Sequence, residues 1–183
     1  MKFNPFLAIL VSMMLAGCSK ETSVAPTPTE EPSKEVSVAS TITEEPITIP
    51  GLNLDMMAIP AGTFVMGSPN DEEGRDDGEG PQTTVTITKP FWLGKTEVTQ
   101  SQWKVVMGNT PSIFKGDDLP VEQVSWNDAA AFCEKLNELK RDTLPAGYRY
   151  TLPTEAQWEY ACRAGTTTRF SYGNDTGYSQ LGS

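Results

Sequence analysis

Apolar and polar residues alternate with a period of two in Met57-Ala58-Ile59, Thr63-Phe64-Val65-Met66, Val85-Thr86-Ile87 and Phe91-Trp92-Leu93. Successive side chains of a strand point to opposite faces, so these stretches predict short, half-buried strands. Pro60 to Gly62, an acidic loop with glycines, and Pro90 separate them. Further along, Thr99-Gln100-Ser101-Gln102, Ser125-Trp126-Asn127-Asp128 and Thr154-Glu155-Ala156-Gln157 each place a hydroxyl three positions before an amide or carboxylate. That spacing satisfies orphan N–H groups at a helix start, and it predicts three helices. Val98 with Trp103, and Pro153 with Trp158, add hydrophobic staples, while Gly108 and Gly165 are natural stops. In the middle helix Ala129, Phe132, Cys133, Leu136 and Leu139 form one apolar stripe, so that face is expected to be buried. Trp92, Trp103, Trp126 and Trp158 sit beside caps and strands and are expected in the core. Short strands, three modest helices and much loop make the fold class α+β.

The N-terminal third reads differently. Met1 and Lys2 precede an apolar run from Phe6 to Met14, too short to cross a bilayer as a mature helix, and it reads as a cleavable signal peptide. Leu15-Ala16-Gly17-Cys18 follows and is similar to the lipobox of bacterial lipoproteins, in which the cysteine is acylated and becomes the new N-terminus. Cys18 is therefore the expected lipidation site. Several acyl chains hold a protein on a membrane durably, where one does so only marginally. The expected location is the cell envelope, and Ser19 beside the cysteine, in place of Asp, agrees with passage to an outer membrane. From Ser19 to Pro50, 16 of 32 residues are Pro, Ser or Thr and none is aromatic, a composition that cannot repay the entropy of ordering. The expected organisation is a signal peptide at 1–17, a lipidated cysteine with a disordered linker at 18–50, and a folded part at 51–183.

Charge removes several functions. Of 183 residues, 24 are acidic and 14 basic, a formal net charge of −10, so nothing draws the chain onto phosphate backbones and no nucleic-acid partner is expected. Histidine is absent from the sequence, which excludes imidazole bases and His-bearing metal sites among these residues. The six carboxylates of Asp71 to Glu79 invite comparison with a calcium loop. They fail its spacing, because Arg75 stands at the fifth ligand position and the glycine is misplaced. Asp117 and Asp118 precede Leu119-Pro120 and read as a turn. Cys133 and Cys162 remain. Joined to each other they would close about 30 residues, a constraint stabilising by about 3.5 kcal/mol on the chain-entropy model. The alternative is a buried, unpaired thiol at each. Neither has a base, a CxxC partner or a helix N-terminus beside it, so no catalytic residue is assigned.

Four blocks carry a resemblance: Ile59-Pro60-Ala61-Gly62-Thr63-Phe64-Val65-Met66-Gly67-Ser68, Lys95-Thr96-Glu97-Val98-Thr99-Gln100, Pro120-Val121-Glu122-Gln123-Val124-Ser125-Trp126, and Leu152-Pro153-Thr154-Glu155-Ala156-Gln157-Trp158-Glu159-Tyr160-Ala161-Cys162-Arg163-Ala164-Gly165. In this order they resemble the sulfatase-modifying-factor, or formylglycine-generating enzyme, family, over Met57 to about Asp175. The resemblance implies a C-type-lectin-like fold low in regular secondary structure. It also implies oxidation, with copper and dioxygen, of a cysteine in a Cys-x-Pro-x-Arg segment of a sulfatase to formylglycine. The family's redox cysteines and calcium-ligand stretches belong to a C-terminal half with no counterpart among these residues, so a partial domain is expected, with copper and calcium held only by a complete one. Cys133 and Cys162 resemble family positions that bridge to C-terminal cysteines. Thr63, Glu97, Trp126, Thr154, Glu155, Trp158 and Arg163 resemble scaffold positions. Two functions follow as expectations: an envelope lipoprotein with a formylglycine-generating domain, partnered by an exported sulfatase, or a non-catalytic module binding protein or glycan on the same fold.

Overall fold

The computed structural model describes residues 12–15, 45–171 and 173. Cys18 and most of the expected linker lie outside the described residues. One five-stranded sheet organises the fold. Its strands are β1 (Ser12–Leu15), β2 (Ile47–Ile49), β3 (Leu54–Ile59), β6 (Phe91–Gly94) and β7 (Tyr148–Thr151), in the order β2-β3-β6-β1-β7. A separate antiparallel hairpin joins β4 (Gly62–Met66) to β5 (Thr83–Ile87), with Phe64 opposite Val85. Three helices complete it: α1 (Gln100–Met107), α2 (Trp126–Leu139) and α3 (Glu155–Arg163). The α+β class read from the sequence holds.

The helices begin where the capping boxes place them. Thr99 accepts from the Gln102 N–H at 3.3 Å while the Gln102 side chain accepts from the Thr99 N–H at 2.9 Å, and Ser125/Asp128 and Thr154/Gln157 repeat the exchange. Helix α1 ends at Gly108, whose φ of 82° is left-handed, with its N–H returned to the Lys104 carbonyl. Helix α3 turns left-handed one residue before the expected stop, at Ala164, and Gly165 follows in the same region.

Two apolar layers flank the sheet. Leu54, Met56, Trp92 and Tyr150 face Val98, Trp103, Val106, Phe132, Cys133 and Leu136 of the α1/α2 side. The Trp103 and Phe132 rings stack there at 5.3 Å, a geometry that adds to plain area burial. Phe91 and Leu93 point the other way, with Ile87, towards Val85, Ile59, Tyr160 and Ala161. Strand β6 is thus buried on both faces, not half-buried as its short alternation suggests.

The structure departs from the sequence pattern at several places. The folded part begins before residue 51: Ile47-Thr48-Ile49 pairs with β3, and Ile49 and Leu52 are buried in the core. Two β-branched isoleucines at a period of two outweigh the linker-like prolines on either side. Trp126 is 59 % exposed, because the first turn of α2 leaves its side chain outside the α1/α2 contact, and Leu139 at the far end is 56 % exposed. Strand β7 has no forecast in the pattern, since Tyr-Arg-Tyr-Thr mixes polarity. Finally, Ser12–Leu15, inside the expected signal peptide, forms a strand between β6 and β7.

Candidate functional site

Glu159 and Arg163 are one turn apart on α3 and form a nearly buried ion pair at 2.8 Å, with side-chain exposures of 12 % and 14 %. Both reach the end of β4. The Glu159 carboxylate accepts from the Gly67 N–H at 2.9 Å, and the Arg163 guanidinium donates to the Gly67 carbonyl at 3.2 Å. A third arm of Arg163 reaches the Thr168 carbonyl at 3.5 Å. One charge pair therefore reads both backbone groups of a single residue, which ties the hairpin to α3. Gly67 is required at that point: its φ is 91°, and a Cβ there would lie 2.6 Å from the Glu79 carbonyl oxygen.

The following loop is fastened in the same way. Ser68, buried, donates to the Glu79 carboxylate at 2.7 Å, its own N–H donates to the Glu79 carbonyl, and Arg75 donates to the Ser68 carbonyl at 3.3 Å. The acidic stretch 71–79 is thus partly a structured loop. Among the described residues no group of three or more His, Cys, Asp or Glu side chains is placed to hold a metal ion.

Between the hairpin and α3 opens a cavity of about 800 Å³, walled by Ile59, Phe64 and Tyr160 and rimmed by Gln82, Arg163 and Thr166. Phe64 and Tyr160 contact at 5.3 Å with their rings tilted. The walls are apolar, and the one cation at the rim spends its donors on Glu159, Gly67 and Thr168. Such a surface buries an apolar group, with the Glu72 carboxylate, the Tyr160 hydroxyl and the Thr63, Thr166 and Thr167 hydroxyls among its polar lining.

Both predicted cysteines are present as thiols, and the Cys133–Cys162 bond is not formed. Cys133 lies in the α1/α2 core, where burial first, then the Glu134 charge, push its thiol up to about 12 against the opposing pull of Arg149. Cys162 is half-buried on α3. Burial raises it and Glu159 adds to that, against a hydrogen bond with Ser171 and the Arg163 charge. Copper(I) takes thiolates. These two thiols are held protonated, one in the core and one on a different helix, so the residues present do not fit a copper site. Calcium has no ligand set among the described residues either.

The scaffold positions divide by task. Thr63 meets Thr86 across the hairpin at 3.1 Å, Thr154 caps α3, and Arg163 belongs to the clamp. Burial raises the carboxyl of Glu97 above its ordinary value. Residues with no forecast also carry weight. Glu122 accepts from the N–H groups of Ile113 and Phe114, which folds the loop between α1 and α2. Asn137 of α2 donates to the Tyr150 carbonyl at 2.8 Å and accepts from its N–H at 2.7 Å. For Glu159 a signal existed in the i,i+4 spacing to Arg163. For Asn137 none did, because its partner is backbone on a strand that the pattern does not reveal.

The family model described as "FGE-sulfatase: Sulfatase-modifying factor enzyme 1-like domain" matches residues 45–181. Among curated proteins, the "Chaperone protein LppX" of Paenibacillus barcinonensis is 39 % identical over a stretch covering 45 % of this chain and 39 % of that protein. The "Formylglycine-generating enzyme" of Mus musculus is 30 % identical over 65 % of this chain and 42 % of the enzyme. The chain thus spans about two fifths of the length of these relatives. Among solved structures, PvdO from Pseudomonas aeruginosa superposes with a TM-score of 0.63 at 27 % identity, covering 73 % of this chain and 56 % of that one.

Proposed function

The chain belongs to the sulfatase-modifying-factor family, and from that premise we propose that it is an envelope lipoprotein whose formylglycine-generating-type domain, in complete form, oxidises the cysteine of a Cys-x-Pro-x-Arg segment in an exported sulfatase-type protein. The observation that carries this reading is the breadth of the match: the family model begins at the first strand after the linker and runs through α3 without a break. The described residues contribute architecture. Glu159 and Arg163 hold the β4–β5 hairpin against α3, and the capped helices fix the other face of the sheet. None of them performs the oxidation, and no step of it is assigned to Cys133 or Cys162. The tether from Cys18 to Glu44 places the domain away from the membrane on a self-repelling, proline-bearing spacer.

The test is conversion of a peptide. The full-length gene product, reconstituted with copper in air, is incubated with a Cys-x-Pro-x-Arg peptide, and the aldehyde is trapped by a hydrazide and detected by mass spectrometry. Absence of aldehyde, where an authentic formylglycine-generating enzyme converts the same peptide, removes the oxidase reading. Acylation is tested separately: Cys18→Ser should move the protein from the membrane to the soluble fraction.

A second reading has its own support. The LppX relative is named a chaperone, and the cavity beside α3 offers apolar walls of Ile59, Phe64 and Tyr160. In that reading the domain binds unfolded or extended protein at the surface. Suppression of light scattering by a refolding client, together with no aldehyde formation, favours it.

A further inference from the structure

Strand β1 occupies an unusual place. It is antiparallel to both β6 and β7, with Ser12 opposite Leu93 on one side and opposite Thr151 on the other. Strands β6 and β7 therefore run parallel to each other, about 9–10 Å apart, two strand spacings, with one strand between them. Contacts that do not involve β1 also hold the two strands in place. Trp92 and Tyr148 rings meet edge to face at 5.5 Å across the gap, and Asn137 of α2 holds both backbone groups of Tyr150. Because N–H groups alternate along an extended strand, binding of Tyr150 by Asn137 turns the backbone groups of Arg149 and Thr151 into the gap. Thr151 carries a second mark. Its buried Oγ1 has no hydrogen-bond partner among the described residues.

We propose that the gap between β6 and β7 is a strand-accepting slot whose occupant in the unprocessed chain is the leader's own Ser12–Leu15, so that seating of this strand and removal of the leader at Cys18 exclude each other. The inference rests on the lipoprotein reading of the N-terminus. Cys18 lies three residues beyond the strand, and the same four residues cannot sit in a sheet and in a membrane-bound peptidase. Processing withdraws the strand and bares two facing rows of backbone groups. The bared slot takes back an extended, uncharged peptide of the leader's sequence by strand addition, in which main-chain hydrogen bonds supply the affinity.

The experiment compares amide exchange at Arg149 and Thr151 in three samples: the full chain with Cys18→Ser, the chain starting at residue 18, and the latter with a synthetic peptide of residues 9–17. Exchange should be about tenfold or more faster in the second than in the first, and the peptide should restore protection saturably while a scrambled peptide does not. Equal exchange in the first two samples overturns the proposal, as does failure of the peptide. If the shorter chain loses cooperative structure, a Ser12→Cys/Thr151→Cys pair in the full chain decides. A cross-link that blocks maturation at Cys18 in cells supports the shared strand; a cross-linked chain that matures normally refutes it. The N-terminal mass of the membrane-extracted protein separates the two premises when read also in Thr151→Pro, which cannot pair with Ser12: an intact Met1 in that variant too removes the lipoprotein reading and leaves the exchange result to judge the slot.

Discussion

At the level of single residues, the clamp on Gly67 is the arrangement most sensitive to change. Its charges are nearly buried, and removing one partner leaves the other without compensation. Glu159→Gln and Arg163→Met should each lower stability by about 3 kcal/mol, read as a lower urea midpoint at unchanged slope. Arg163→Lys should recover little, since a point charge cannot reach Glu159, Gly67 and Thr168 together. The thiols give a second measure. Cys133 is held protonated, so native protein at pH 8 should show no alkylation there by iodoacetamide until it is unfolded, with Cys162 modified first. The same shift fixes a sign with pH. A thiol whose folded value is raised contributes stability that is whole below about pH 8.5 and falls as pH climbs towards 12, so alkaline titration should lower the midpoint. The sequence makes the caps plain because capping is local. It hides the burial of Glu159 and misplaces Trp126, since the neighbour that covers or fails to cover a side chain comes from far along the chain.

Among the secondary-structure elements, the helices are specified twice, by their first residues and by their apolar stripes. Thr99→Ala and Thr154→Ala should each cost about 1 kcal/mol, and the double variant should cost the sum, because the caps share no partner. The α2 cap also titrates. Hydrogen bonds from Ser125 hold the Asp128 carboxyl below its ordinary value, so its contribution is present above about pH 4 and lost as pH falls through the lowered value. Helix content followed by circular dichroism in Ser125→Ala should show a weaker acid transition in α2 than wild type. Strands were harder to read. Those of the β4–β5 hairpin announce themselves by alternation, whereas β2 hides among linker prolines and β7 among mixed polarity. A strand three or four residues long carries too few positions for a period to emerge, and its identity is conferred by the neighbour it pairs with.

Considered as a whole molecule, the fold is a sheet with a helical layer on one side and a hairpin with a third helix on the other, and β6 is the shared floor. Phe132→Ala, which empties the stacked contact with Trp103, should cost about 3–5 kcal/mol, while Trp126→Ala should stay within about 0.5 kcal/mol. Differential scanning of the two variants would reverse the ranking only if the exposed indole were the one that packs. The family and its fold were legible from ordered motifs; the chemistry was not, because residues that build a scaffold say little about the groups it presents. The amide of Asn137 has one last bearing. By answering both polar groups of Tyr150 it stands in for an adjoining strand, so the pleated surface terminates on a side chain and offers no ladder to another copy at that margin. Asn137→Leu should unseal that margin, and sedimentation velocity should then show more self-association than for the parent chain.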